Sequence, residues 1–229
     1  LIGRVLMLLS NTFRPDPRVL KEARGLISNG YGVTLLAWDR EGNRPQEDTV
    51  GGVNVHRIRA IRIRGQLGMV IGMINFWAKA VLSSRKAAFD VVHAHDFDTL
   101  IPAVLISRLR RVPLVYDAHE HYSRMIAIDA PPAVMRLIDR LELRLVWSTD
   151  LVVTVSPPLA TRFVAVGGPD VVIEATGAPA AITAKFIDEQ RSSSQKKASA
   201  RSSGRASVRV TGSGTGRQPA VWAPGGRRD

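Results

Sequence analysis

Asp90-Val-Val-His-Ala-His-Asp96, followed closely by Val112-Pro-Leu-Val-Tyr-Asp-Ala-His-Glu120, reads as two buried strands that each end in imidazole and carboxylate. A short, continuous apolar run bounded by polar groups is the pattern of a strand covered on both faces. In an open parallel sheet, ligands sit in the crevice outside the carboxyl ends of the strands. Both strand ends therefore point to a site, and the segments around them should be further βα units.

They are. Residues 4–9 form a compact apolar run, and Asp16-Pro17 supplies a helix cap and a proline at the first helical position. Val19, Leu20, Ala23, Leu26 and Ile27 follow at helical spacing until Asn29-Gly30 stops the helix. Residues 32–38 and 53–58 read as strands joined by a loop over 42–52, and 67–85 as a helix of mixed face. A helix over 98–110 carries a stripe of Leu100, Val104, Leu105 and Leu109. Pro131-Pro132 opens a helix with Val134, Leu137, Ile138, Leu141 and Leu145 on its buried side. Residues 151–155 and 170–173 read as the last strands, with Ser156-Pro157 capping the helix between them. Alternation of this kind predicts an α/β fold, a Rossmann-like parallel sheet with helices on both faces, over residues 1–175. From 176 the chain reads as a degenerate linker and a disordered Arg/Ser/Gly-rich tail with little to bury.

Charge follows the same division. Of the formal +12, the segment 190–229 holds +8, from nine Lys/Arg against one Asp. This tail could meet phosphates, but Trp222 is its one aromatic and it matches no nucleic-acid motif, so no specific nucleic acid is expected. The chain has no cysteine, which removes disulfides and thiolate chemistry and suits a cytoplasmic protein. Its start, Leu1-Ile-Gly-Arg, does not read as a secretory signal, and the uncharged run 67–78 is too short to span a bilayer.

No G-x-G-x-x-G follows the first strand, which argues against a dinucleotide; Gly212, Gly214 and Gly216 match only superficially, with no strand before them. No cofactor and no metal is expected. Among the candidate site residues, His119 comes first: at a strand end it can donate to substrate hydroxyls or to developing charge. Glu120 stands beside it. His93 and His95 share one face of their strand, His93 as a hydrogen-bonded core residue and His95 with Asp96 at the crevice. Asp16 caps the first helix, and Arg18 can reach an anionic or hydroxylated ligand from it. The alternative for the cluster of His93, His95, Asp96 and His119 is a metal site. Val55-His-Arg-Ile-Arg-Ala-Ile-Arg-Ile-Arg64, with the apolar helix after it, reads as an edge strand or as a surface for an anionic membrane.

The order of these motifs resembles the amino-terminal half of glycosyltransferase family 4, retaining enzymes with the two-domain GT-B fold. Asp16-Pro-Arg-Val-Leu-Lys-Glu-Ala23, Asn29-Gly-Tyr-Gly-Val33, the two stretches quoted above and Thr149-Asp-Leu-Val-Val-Thr-Val-Ser156 carry it, over roughly residues 3–165. The resemblance implies transfer of a sugar from a nucleotide-sugar donor to a glycan or glycolipid acceptor, as in bacterial surface polysaccharide synthesis. His119 would be the catalytic residue beside the transferred sugar; Asp16, Arg18, His95, Asp96 and Glu120 would line the acceptor side. The family's donor-binding domain, with its paired glutamates, has no counterpart after residue 177, as though the reading frame had shifted. The expectation is a half-enzyme inactive alone, poorly soluble at the cleft where its partner domain would dock, and located in the cytoplasm with peripheral contact at the inner face of the plasma membrane. Two rivals remain: a non-catalytic module that binds an acceptor or partner, and a metal-dependent hydrolase.

Overall fold

A computed structural model of the chain describes residues 1–14, 16–61, 63–126, 130–174, 179–194 and 208–211. They form a nine-stranded sheet in the order β3-β4-β2-β1-β5-β6-β7-β8-β9. The strands are β1 (Gly3–Leu9), β2 (Tyr31–Asp39), β3 (Glu47–Val50), β4 (Val53–Arg59), β5 (Val91–His95), β6 (Leu114–Ala118), β7 (Leu151–Thr154), β8 (Asp170–Glu174) and β9 (Val208–Thr211). Every pairing is parallel except β3 with β4. The helices are α1 (Pro17–Ser28), α2 (Gln66–Ser84), α3 (Phe97–Arg110), α4 (Tyr122–Met125), α5 (Pro132–Val146), α6 (Pro157–Val164) and α7 (Pro179–Ser194). Apolar residues cluster in two layers. Val5, Met7, Val33 and Val115 pack with Val19, Ala23 and Leu26 of α1 and with Ala184 and Ile187 of α7. Leu6, Leu8, Val92 and Tyr116 pack with α2, α3 and α6 on the other side. This is the α/β, Rossmann-like parallel sheet expected, with helices on both faces.

The first βα unit forms for the reasons written in its sequence. Asp16 caps α1 by accepting from the Arg18 N–H at 3.1 Å, and Gly30 closes the helix at φ +85°. The chain order then moves outward from β1 through β2 to β4, and returns to the far side of β1 with β5. The sheet thus reverses direction between β1 and β5, and the ends of these two strands open a crevice.

Several elements differ from the sequence expectation. The loop over 42–52 contains β3, which forms a hairpin with β4 through Gly51 and Gly52, at φ +60° and +87°. Two adjacent positive φ values suit the tight turn that matches the twist of paired strands. β4 is therefore covered by β3, and the edge strand is β3. Arg57 of β4 is buried, paired with Asp48 of β3 at 2.9 Å and donating to the Thr12 carbonyl.

In α5, Val134 and Leu137 are 41% and 64% exposed, although an apolar stripe placed them inside. Ile138, Leu141 and Leu145 pack on the core as expected, and the helix also buries Val146 and Glu142, which has partners in the interior. In α3, Leu105 and Leu109 are exposed while Phe97, Ala103 and Ile106 take the interior positions. α7 lies within the segment read as a linker: Ala184 and Ile187 are buried, and the Tyr31 hydroxyl reaches the Ala184 carbonyl and Asp188. β9 lies in the segment read as a disordered tail and ends directly before Gly212, where no strand was expected; Gly212, Gly214, Gly216 and Trp222 themselves lie outside the described residues.

α2 buries a narrow stripe, Gly68, Gly72, Phe76, Ala80 and Ser84. A Cβ at Gly68 would stand 2.1 Å from the Ile63 carbonyl oxygen, so the helix start lies directly on the preceding segment. Leu67, Met69, Val70, Ile71 and Ile74 stay exposed. By length and composition alone this is a helix able to cross a membrane, contrary to the shorter run read from the sequence; its glycine stripe packs it on the sheet.

Candidate functional site

The crevice at the β1/β5 reversal collects groups from three strand ends and one helix. Asp96 follows β5, His119 follows β6, and Asp16 and Arg18 begin α1 after the β1 loop. Asp96 adopts φ +63° and ψ 167°, a region nearly confined to glycine, so the surroundings must hold it. They do so from both sides: its N–H donates to the Asp117 carbonyl at 2.9 Å, and its carboxylate accepts from the His119 N–H at 3.3 Å. Thr99 adds a 2.6 Å hydrogen bond to the His95 carbonyl. A strained corner of this kind fixes the β5 and β6 ends against each other.

Beneath the corner, strand alternation puts His93, His95 and Asp117 on the face toward α1. The register sets His95 opposite Asp117. Asp117 Oδ2 stands 3.0 Å from His95 Nδ1 and 2.6 Å from His119 Nε2. His93 and His95 stack with centroids 4.5 Å apart, and Glu22 of α1 lies 3.5 Å from His93 Nε2. Burial would raise the Asp117 carboxyl, but its hydrogen bonds to His119 and His95 and their charge hold it well below the usual range. Burial would lower His119; contact with Asp117, with help from Asp96, raises it above its ordinary value. His93, wholly buried and beside other imidazoles, is pushed down to about 3. Asp96 is raised, chiefly by burial.

The structure therefore brings His119, Asp96, Asp16 and Arg18 to one rim, with Arg18 half exposed and electrostatically felt by Asp96, Asp117 and His119. Arg18 itself is pulled down by burial and raised more by Asp16. Asp16 is both cap and ion-pair partner, at 3.5 Å from Arg18 Nε, so its two sequence readings coexist. His95 is not at the crevice surface; it is fully buried behind His119. Glu120 is exposed, beside the cluster and outside its contacts. Sequence reasoning missed Asp117 and Glu22. Two-residue strand spacing from His119 could have found Asp117, and helical i+4 spacing from Arg18 could have found Glu22.

The metal alternative has a geometric counterpart in Glu22, His93, His95 and Asp117, whose candidate atoms lie within 4.8 Å of one another. It does not fit a hydrolytic centre. All four are buried, and such a centre keeps one coordination position open to substrate. The two imidazole planes are also within 13° of parallel, so their nitrogen lone pairs run side by side and do not converge on one point.

A family model described as a glycosyl transferase 4-like domain matches residues 15–178. The chain belongs to this family. An uncharacterized glycosyltransferase of Methanocaldococcus jannaschii is 28% identical over 97 residues, 42% of this chain and 24% of that protein. The chain thus matches about a quarter of that relative's length. The fold is shared with sucrose-phosphate synthase of Thermosynechococcus elongatus: a part of that enzyme aligns at TM-score 0.55 and 13% identity, covering 81% of this chain and 96% of that one. The longer form aligns at 0.57 and 14%, covering 76% and 49%. The glycosyl transferase 4-like domain is accordingly a GT-B-type Rossmann-like unit, with its crevice at the strand reversal and His119 on the rim.

Proposed function

We propose that this glycosyl transferase 4-like domain is the acceptor-side half of a retaining, nucleotide-sugar-dependent glycosyltransferase. The observation carrying this reading is His119, a single imidazole held at the mouth of the β1/β5 crevice by a buried carboxylate, with Arg18 and Asp96 beside it. An imidazole so held donates to a sugar oxygen, and Arg18 meets hydroxyl or anionic groups of an acceptor. The charge of the departing diphosphate needs further donors, which in this family come from a second domain. Acceptor binding therefore belongs to this chain, and efficient transfer needs the donor half joined to it.

The acceptor is a glycan or glycolipid met at an anionic membrane surface. Between Asp48 and Asp90 the sequence contains no acid. Within that stretch Leu67, Val70 and Ile74 of α2 are exposed, Arg64 and Lys79 belong to the same segment of the chain, and a cavity of about 400 Å³ opens among Trp38, Arg40, Ile63, Arg64 and Met69. Apolar side chains framed by cations suit the headgroup region of an anionic bilayer, each cation adding about 1 kcal/mol.

Calorimetry with oligosaccharide and glycolipid acceptors, run beside a donor-hydrolysis assay, tests the first part. Acceptor binding lost in Arg18→Ala and His119→Ala, without donor turnover, is expected; donor turnover at ordinary enzyme rates by this chain alone would overturn it. Co-sedimentation with phosphatidylglycerol vesicles, and none with phosphatidylcholine, is expected for the second part. Equal binding to both would remove the electrostatic argument.

A further inference from the structure

The cavity of about 400 Å³ near the end of β2 is built to hold a molecule, and its walls include Trp38, Arg40, Ile63, Arg64, Met69 and Gly72. Sites for single small ligands run from roughly 300 to 1,000 Å³, so one such ligand fits. The floor is fixed before anything binds. Trp38 is 4% exposed and stacks on Phe76 with ring centroids 5.5 Å apart. A Cβ at Gly72 would lie 3.2 Å from the Trp38 ring and 3.1 Å from the Ile61 carbonyl oxygen, so α2 crosses directly on both. Around the cavity, Arg14 pairs with Glu41, Arg57 with Asp48 and Arg59 with Asp39. Among the described residues Arg40 and Arg64, the two arginines of the wall, join no ion pair; Arg40 lies over the Trp38 ring at 4.4 Å. Ile63 and Met69 are each 49% exposed. Unpaired guanidinium groups beside exposed apolar side chains match a ligand with an anionic group and an apolar chain.

This cavity and the crevice share one edge of the sheet. β2 pairs with β1, β1 with β5 and β5 with β6. Three strand spacings, about 14 Å, therefore separate the β2 end from the β6 end that carries His119. Arg14, in the loop between β1 and α1, pairs with Glu41 directly after Arg40. Asp98 and Tyr122 each feel the charge of both Arg40 and Asp96. Arg40 thus borders the cavity and lies within electrostatic reach of the crevice. We propose that the cavity seats the phosphate link and first chain carbons of a lipid-linked saccharide acceptor, with Arg40 on the phosphate, so that the saccharide reaches the crevice at His119. A carboxylate would end a chain. A phosphodiester bonds to a chain on one side and a saccharide on the other, and still offers an oxygen pair to a guanidinium fork. The interval of about 14 Å then holds a short saccharide.

The inference rests on the glycosyltransferase reading and names its acceptor class. Three probes, each below its micelle concentration, test it on the full chain: glucosyl octyl phosphate, octyl glucoside without the phosphate, and glucose 1-phosphate without the chain. The readout is calorimetry together with the methyl signals of labelled methionine, one of five being Met69, assigned by its loss in Met69→Leu. Glucosyl octyl phosphate should saturate at one per chain and shift the Met69 methyl. Each of the other two should bind about tenfold more weakly or less, the scale of one lost charge-assisted contact or a few buried methylenes. Arg40→Ala should weaken glucosyl octyl phosphate by about tenfold, and Arg40→Lys should restore part of it. Equal binding of octyl glucoside removes the phosphate contact, equal binding of glucose 1-phosphate removes the chain, and a Met69 signal unmoved at saturation removes the cavity; each overturns the proposal. Should Arg40→Ala fail to fold, the three probes on the wild type decide. Glucosyl octyl phosphate ignored, while a neutral oligosaccharide binds in a manner dependent on Arg18 and His119, overturns this inference and leaves the glycosyltransferase reading standing. Saturation at Met69 with no saccharide bound by the crevice sinks that reading, and the acceptor role with it.

Discussion

Removing Arg162 should cost this domain more than removing Arg162 and Glu142 together. Glu142 of α5 is fully buried; it accepts from the Tyr116 hydroxyl at 2.6 Å and forms an ion pair with Arg162 of α6 at 2.8 Å. Arg162 has a second partner, Asp139, at 2.5 Å and lies over the Phe163 ring. Arg162→Met leaves a carboxylate in the interior with one donor, and breaking a buried pair from one side costs about 3–5 kcal/mol. Glu142→Leu leaves the guanidinium with Asp139 near the surface and the tyrosine hydroxyl without its acceptor, a loss of about 1–3 kcal/mol. In the double variant the buried charge is gone and only the hydroxyl is unmet, so about 1–2 kcal/mol is lost. The double variant should therefore be about 2 kcal/mol more stable than Arg162→Met. At about 2–4 °C per kcal/mol for a domain of this size, Arg162→Met alone should melt roughly 10 °C below the wild type. Urea and thermal unfolding of the four proteins measure the cycle. If the two single losses simply add in the double variant, the pair is not an energetic unit and the reasoning is wrong.

Two pH dependences follow from buried groups at the same end of the sheet. Asp98, in the first turn of α3, is raised to about 6, mainly by burial and against its hydrogen bond from Ser10. The folded chain thus holds this proton more tightly than the unfolded one. Its contribution is full below 3.8 and is lost as pH rises through 6, reaching about 3 kcal/mol by pH 8. Asp98→Asn should remove this slope, so urea midpoints of variant and wild type that stay parallel from pH 5 to 8 would contradict it. For His93 the direction is opposite: with its folded value near 3, stability is full above 6.5 and falls as pH drops, by about 1.4 kcal/mol per unit. His93→Gln should flatten that acid limb, and an unchanged acid transition would show that His93 is not the group responsible.

The parts of the fold legible in the sequence are those where one local signal decides the structure. Asp16-Pro17 caps α1 as read, and 90–95 and 112–116 became β5 and β6, the second moved two residues along the chain. The Gly51-Gly52 turn was equally visible, but β3 before it is Glu-Asp-Thr-Val, without the apolar alternation that marks a strand. In α5 the apolar stripe holds for Ile138, Leu141 and Leu145, which pack against the core, and fails for Val134 and Leu137. A buried glutamate with two partners turned Leu137 outward, and no single-sequence pattern reports a partner on another element. The site divides in the same way. His119 and Asp96 were readable as strand-end residues. The descent of His95 beneath them was not, because it depends on the register that sets His95 against Asp117.

That register also explains why the site is built on β6. Consecutive residues of a strand face opposite layers, so Tyr116 and Asp117 enter different polar networks. Tyr116 points toward α5 and α6, where Glu142 accepts its hydroxyl; Asp117 points toward α1, where His95 and His119 meet its carboxylate. A slip of one residue would exchange the two faces. The phenol would then face imidazoles, and the Asp117 carboxylate would face Glu142 with Arg162 as the sole cation between them. In most buried parallel strands a slip exchanges one valine for another at modest cost. Here it breaks two buried networks together, so the polar groups beneath His119 define its position along the strand as well as its charge. The strained Asp96 corner then needs no flexible loop to bring His119 to the rim, because both strand ends are already fixed.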